Sequence, residues 1–413
     1  MTDESDEPAQ YAPADTLLGL LERGRGAGWL RAKDDWEAGA AALLDCLRRD
    51  TRYDSSDDRH DYHAQLVGEL ALPIDLLRQQ VEGADQGACE RAYEILAALA
   101  LTGSVAAREV LRRYVRQGEC WQDVLDTLAD RWPVPWWDDL AEDAVRRLGG
   151  DEPDYPSSEP WSRWRELLPD RPRRRSVRHV QSLAPSNARL LALLADGGSF
   201  TSERAAAVGT LAGRPPVPEI LPLVPELFTA EPAFLGDRAL PRLGRVVDRL
   251  GTAAVEDARA WARSPRPWLA GLGLGVLARH GDARDLPLLL AELERQWAAG
   301  EWCGSHWVAD GLARFGPAAA EAAPVLHRFW AHTPHSYERP SYLRALAAIR
   351  PGEVDAELTE SLWDCEEGAR LFAVEHAPDG PELRGRLAEL SASSVESPDL
   401  RAAAARRLAR GYH

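Results

Sequence analysis

Lysine and methionine are almost missing from this chain. Lys33 is the only lysine and Met1 the only methionine in 413 residues, although Lys and Arg together number 49. Such a bias marks a GC-rich genome and discounts any argument from arginine abundance alone. Cysteine is scarce as well: Cys46, Cys89, Cys120, Cys303 and Cys365 are odd in number and scattered. That excludes a disulfide framework and fits a reducing cytoplasm. No stretch approaches the roughly 20 apolar residues of a membrane-spanning helix, so no membrane association is expected. The opening Met1-Thr2-Asp3-Glu4-Ser5-Asp6-Glu7 is acidic. A secretory signal opens basic and then turns apolar, so a cytoplasmic location is expected. Positive charge is also in deficit, with a formal net charge of -17. Nucleic-acid binders draw most of their affinity from Lys and Arg against phosphates. A chain this acidic repels phosphate at long range unless its arginines are segregated, so the expected partner is a protein with a basic patch. No G-x-S-x-G, G-x-x-x-x-G-K or H-E-x-x-H occurs, so three common catalytic signatures are absent.

Apolar residues make up 45% of the chain, enough for a sizeable core. Their spacing is helical. Ala107, Val110, Leu111, Tyr114 and Val115 fall on one face of a helix over 104–116, and Leu286, Leu289, Leu290, Leu293 and Trp297 repeat the pattern over 283–297. Segment 86–101 is apolar around most of its circumference, as a helix buried on two sides would be. Ser264-Pro265 and Ser397-Pro398 each read as a capping hydroxyl followed by proline at the first helical position. Gly271, Gly273 and Gly275 alternate within a helix and read as a close-packing seam.

Repetition organises the C-terminal part. Leu277-Ala278-Arg279-His280-Gly281 recurs as Leu312-Ala313-Arg314-Phe315-Gly316, and more loosely upstream as Leu99-Ala100-Leu101-Thr102-Gly103. Each glycine suits a left-handed helix cap. Gly281, Gly316, Gly352, Gly380 and Gly411 lie 35, 36, 28 and 31 residues apart, room for two helices and two turns. Ser264–Leu293 (SPRPWLAGLGLGVLARHGDARDLPLLLAEL) resembles a HEAT repeat of the short, phycobilisome-lyase-like class. Ser397–Gly411 (SPDLRAAAARRLARG) resembles the first helix of another. The whole chain is similar to HEAT-repeat proteins of actinobacterial type, best over 250–413, less over 60–150 and least over 150–250. The resemblance implies an all-α fold, an α-α superhelix of the HEAT or armadillo kind, and a habit of binding macromolecules; it implies no reaction. HEAT-type di-iron hydroxylases carry paired His-Glu dipeptides, and this chain has none.

The organisation expected is an acidic, disordered tail at 1–13, a helical block at 14–150, a linker at 151–185 and a solenoid at 186–413. Four constellations carry chemical potential. Cys303 and His306 have the C-x2-H spacing of zinc ligands, and His327, His332 and His335 would end the antiparallel partner helix. The set matches no standard structural finger, so these are read as surface and interhelix residues and no metal is expected. The run from Asp54 to His63 is carboxylate-rich, but it lacks the glycine and glutamate of a calcium loop in phase; Asp57 or Asp58 is read as a helix cap. Arg171, Arg173, Arg174, Arg175 and Arg178, preceded by Trp161 and Trp164 as stacking surfaces, would be the contact if nucleic acid binds. The bland reading is a solvated linker paired with the acidic loop before it. Finally, Trp132-Pro133-Val134-Pro135-Trp136-Trp137-Asp138-Asp139 slightly resembles the aromatic and aspartate set of HEAT-like alkylated-base DNA glycosylases; its plainer reading makes Trp136 or Trp137 a core anchor. The expectation taken forward is a protein-binding scaffold without catalysis or cofactor, with a nucleic-acid binder or glycosylase as the alternative.

Overall fold

The computed structural model describes residues 11–49, 59–168, 185–196, 200–229 and 237–410. The described residues form 22 α-helices, eight 3₁₀ segments and a single antiparallel strand pair, Phe228–Thr229 with Arg238–Ala239. The protein is all-α. No described helix is long and apolar enough to cross a membrane.

The chain divides into two compact units. Unit one comprises Met1–Arg174, Ala331–Leu343 and Val354–His413; unit two comprises Arg175–Trp330 and Arg344–Glu353. Unit one begins with α1 Leu17–Glu22, α2 Gly26–Asp34, α3 Trp36–Arg48, α4 His60–Glu69, α5 Asp75–Val81, α6 Gln86–Leu101, α7 Val105–Gln117, α8 Trp121–Arg131 and α9 Ala141–Leu148. Unit two holds α10 Asn187–Ala195, α11 Thr201–Leu211, α12 Leu243–Asp248, α13 Val255–Trp261, α14 Pro267–His280, α15 Leu286–Ala299 and α16 Ser305–Ala313. Helices α17 Ala323–His332 and α18 Arg339–Ile349 contribute to both. Unit one then resumes with α19 Asp355–Ser361, α20 Glu367–His376, α21 Pro381–Ala392 and α22 Pro398–Arg410.

Side chains three residues before the first free amides start several of these helices. Asp35, Asp85 and Ser104 accept from the amides of Ala38, Ala88 and Ala107 at 3.1, 2.9 and 3.2 Å. The apolar circumference of α6 is explained by its neighbours: it packs against α4, α5, α7 and α8, and Ile95 to Ala100 are all buried. On α7 the expected stripe is buried at Ala107, Leu111, Tyr114 and Val115, with Val110 half-buried. Ser397 caps α22 as expected, accepting from Leu400 N at 3.2 Å. Ser264 does not cap at Pro265. Its hydroxyl accepts from Arg266 N at 3.2 Å, and the helix starts two residues later with Pro267 in the first turn.

Contacts run between successive helices and between helices two apart: α7 with α8 and α9, α14 with α15 and α16, α20 with α22. One device recurs in the second kind of contact. The last turn of α9 sends Arg147 to the carbonyls of Val115 (2.8 Å) and Gly118 (2.6 Å) at the end of α7. At the end of α16, Arg314 reaches the carbonyls of Ala278 (2.5 Å) and Gly281 (3.2 Å) at the end of α14. On α22, Arg407 reaches those of Val374 (2.6 Å) and Ala377 at the end of α20. In all three the capped helix ends on an extended residue: Gly118 has φ -77°, Gly281 -66° and Ala377 -61°. The arginine thus satisfies two of the carbonyls a helix end leaves orphaned. This overturns the left-handed expectation for Gly281. Gly103, Gly316 and Gly352 do adopt positive φ, at 104°, 52° and 80°, whereas Gly380 is extended and Gly411 lies outside the described residues.

Of the three alternating glycines on α14, only Gly273 is a packing seam. A Cβ there would stand 2.5 Å from Ala262 N and 2.6 Å from Ala258 O of α13, whereas one on Gly271 would meet nothing within 4 Å and one on Gly275 would meet only the Arg279 guanidinium.

Candidate functional site

A buried charge centre lies in unit one, where Arg23, Arg25 and Arg59 meet residues 331–339, 360–370 and Glu396. Burying a charge is costly unless it is paired and hydrogen-bonded; Arg25, Arg339 and Arg370 each pair with a carboxylate, and Arg23 and Arg59 are hydrogen-bonded to backbone carbonyls. Arg339 is 0% exposed and Asp364 3%. They pair through two bonds of 2.8 Å, and Arg339 Nη2 also approaches Cys365 Sγ at 3.2 Å and Gly24 O at 3.4 Å. Arg25 donates to Glu360 at 2.7 Å and to Ala331 O at 2.6 Å. Arg370 donates to the carbonyls of Asp364 (2.8 Å) and Cys365 (2.5 Å) and to Glu396 (2.6 Å). Arg59 reaches Pro334 O at 2.8 Å, and Arg23 reaches His332 O at 3.1 Å. The backbone joins in where Cys365 N donates to Gly24 O at 2.9 Å.

This environment silences the reactive groups within it. Burial pushes the thiols of Cys365 and Cys46 and the Tyr62 phenol far up, so all three stay protonated at neutral pH. Burial pushes His63 down to about 4, so its imidazole is neutral, donating from Nε2 to Leu21 O at 3.3 Å. Burial also lowers Arg23, to about 10, which still leaves it charged. For Arg339 burial acts the same way, but the adjoining Asp364 carboxylate outweighs it and the pKa is raised. The Cys365, Cys46 and Tyr62 groups are therefore not nucleophiles at neutral pH. The centre ties the start of the chain to its last third.

A cleft of about 480 Å³ lies elsewhere in unit one, where the turn at Glu82-Gly83-Ala84 faces the end of α7 and Cys120. Cys89 Sγ donates to Val81 O at 3.5 Å and sits 3.6 Å from the Tyr114 hydroxyl, which accepts from Cys120 N at 3.4 Å. Burial raises the Cys89 thiol and pushes Tyr114 up to about 12, so neither is a nucleophile at neutral pH.

The tryptophan-rich segments join in one buried cluster. Trp137 and Trp161 are fully buried and Trp164 is 4% exposed. Trp161 packs edge-on to Trp121 and Trp164, with ring centroids 6.1 and 5.7 Å apart, and Trp164 packs on Trp137 at 5.6 Å. Four indole N–H groups are used: Trp132 donates to Ala97 O (3.0 Å), Trp137 to Trp132 O (3.2 Å), Trp161 to Asp126 (3.2 Å) and Trp164 to Asp138 (2.9 Å). Trp137 is thus the core anchor foreseen. Trp161 and Trp164 are not the stacking surfaces foreseen, because their rings are consumed by the core. Asp138 serves an indole, and Asp139 is held by Arg112 through bonds of 2.9 and 2.6 Å. Burial pushes Asp126 up to about 6.

Cys303 is exposed in the turn before α16, and His306 lies in that helix's first turn. His327 is exposed on α17 against Trp330, with centroids 5.5 Å apart, and His332 is the exposed last residue of α17. His335 is fully buried. Among the described residues no three His, Cys, Asp or Glu side chains gather so as to hold a metal ion. Arg173, Arg174, Arg175 and Arg178 lie outside the described residues, as do Asp54 to Asp58. The helix expected to start on Asp57 or Asp58 begins at His60, with Arg59 in the cap position and no side-chain cap bond.

Sequence reasoning found neither the charge centre nor the arginine clamps. Arg23 and Arg25 carry no local pattern that pairs them with His332 and Glu360 across more than 300 residues, nor does Arg339 with Asp364 25 residues on. The clamps did leave a trace, since Arg147, Arg314 and Arg407 stand 29 to 36 residues after the carbonyls they bind. No family model, no curated protein and no solved structure matches the chain.

Proposed function

We propose that this protein is a protein-interaction scaffold without catalysis of its own, built as an α-solenoid of the HEAT kind. The observation that carries the proposal is the clamp shared by α9, α16 and α22, each capping the helix two before it. A two-helix period joined end to end is how stacked helix pairs propagate, and such stacks present a long surface suited to extended recognition. Two further features support it. The net charge of -17 favours a partner with a basic patch. The buried thiols of Cys46, Cys89 and Cys365 are all pushed up and so stay protonated at neutral pH. The burial of Trp161 and Trp164 also removes the stacking surfaces that the nucleic-acid alternative would use.

The test is a titration of the full chain against labelled duplex and single-stranded oligonucleotides at about 0.15 M salt, where non-specific binding is typically about 10⁻⁴ to 10⁻⁶ M. The scaffold reading expects no saturable binding tighter than about 10⁻⁶ M. Tighter, saturable binding, or turnover of an alkylated base, overturns it.

A further inference from the structure

In unit one a second cleft, of about 490 Å³, opens between the end of α20 and the last turns of α22. Its charged lining is Arg406, Arg407, Arg410, His376, Glu375 and Asp379. Arg407 is fixed by the Val374 and Ala377 carbonyls, and its bond of 3.0 Å to Asp379 balances that carboxylate. Arg406 and Arg410 are exposed, one helical turn apart on the same face of α22, and have no ion pair among the described residues. His376 is held edge-in. Its Nδ1–H donates to Phe372 O at 2.9 Å and its ring stacks on Phe372 with centroids 4.1 Å apart, so Nε2 is the nitrogen left for a ligand.

We propose that this cleft binds a phosphoryl group, carried either by a phosphorylated side chain of a partner or by a small phosphorylated molecule. Guanidinium forks match the spacing of phosphate oxygens, and two of them on one helix face can grip one group together. With Asp379 balanced by Arg407, Glu375 is the one other carboxylate that Arg406 and Arg410 face among the described lining residues. Two guanidinium groups against one carboxylate leave the cleft with net positive charge, which favours an anionic ligand. The cleft is far larger than the phosphoryl group, leaving room for the body that carries it. In a chain of net charge -17, an anion needs such a local concentration of arginine to be held at all. The inference does not depend on the scaffold reading.

Isothermal titration of the full chain with inorganic phosphate, O-phosphoserine and a phosphoserine peptide tests it, in the native chain and in the double variant Arg406→Gln/Arg410→Gln. Neither side chain is packed, so the variant should melt like the native protein by circular dichroism. Saturable binding of any of the three ligands, weakened at least about tenfold in the variant, is the expected result. A peptide that binds more tightly than phosphoserine points to a partner; equal affinity points to a small molecule. Absence of saturable binding in the native chain, or equal affinity in the variant, overturns the proposal.

Discussion

Replacing Arg147 by alanine tests the clamp where it is best defined. The guanidinium makes two charge-assisted bonds to the end of α7 and lies 4.9 Å from the Trp121 ring centroid. Hydrogen bonds to charged groups contribute about 1.5–3 kcal/mol each, and the cation–π contact about 0.5–1. Arg147 is half-buried, so the lower end applies, and water regains part of the two exposed carbonyls. The expected loss is about 2–3 kcal/mol. Arg147→Lys keeps the charge at a helix C-terminus but can cap one carbonyl at most, so it should recover roughly half. The neighbouring Arg146, exposed and paired only with Asp143, is the control; Arg146→Ala should cost under about 0.5 kcal/mol. Urea unfolding measures the totals, and hydrogen exchange at the end of α7 localises them. If Arg147→Ala unfolds like Arg146→Ala, or if lysine restores full stability, the clamp is not a capping device.

Three other perturbations have defined outcomes. Arg339→Ala strands Asp364 in the buried charge centre and should cost about 3–5 kcal/mol in urea unfolding, whereas Arg339→Met with Asp364→Leu should fall within about 1.5 kcal/mol of the native chain. Gly273→Ala should destabilise by about 1–3 kcal/mol because its Cβ would strike α13 backbone, while Gly271→Ala, with open space around it, should stabilise by about 0.5–1 kcal/mol in the same assay. His63 has its folded pKa lowered to about 4, so the unfolded chain takes up the proton first. Its contribution is present above about pH 6.5 and is lost as pH falls toward 4; because the ring is half-buried, about 2 kcal/mol is expected, and His63→Gln should flatten that slope in melts across the window.

Helices were legible wherever one physical effect decided the outcome. The apolar circumference of 86–101 announced a helix buried on two sides, and α6 packs against α3, α4, α5, α7 and α8. The sequence signal misled where a distant residue supplied what the local one seemed to provide. Gly281 looked like a left-handed cap, yet Arg314 takes the orphan carbonyls and the glycine is extended. Ser264-Pro265 looked like a helix start, but Pro267 offered a second proline position two residues on. Trp161 and Trp164 follow a polar, proline-rich loop and so read as exposed; only the tertiary contacts with Trp121 and Trp137 reveal them as core. The charge centre was invisible for a simpler reason. Its arginines resemble dozens of others in the sequence, and burial, which sets them apart, is a property of the folded chain.

The scaffold proposal is tested most directly by capturing the full chain from native lysate, with and without nuclease, and quantifying the recovered proteins by mass spectrometry. The account predicts a stoichiometric protein partner whose recovery survives nuclease and declines as salt is raised, as pairing of an acidic surface with a basic patch requires. Recovery that disappears on nuclease treatment, or capture of nucleic acid without any stoichiometric protein, would contradict it.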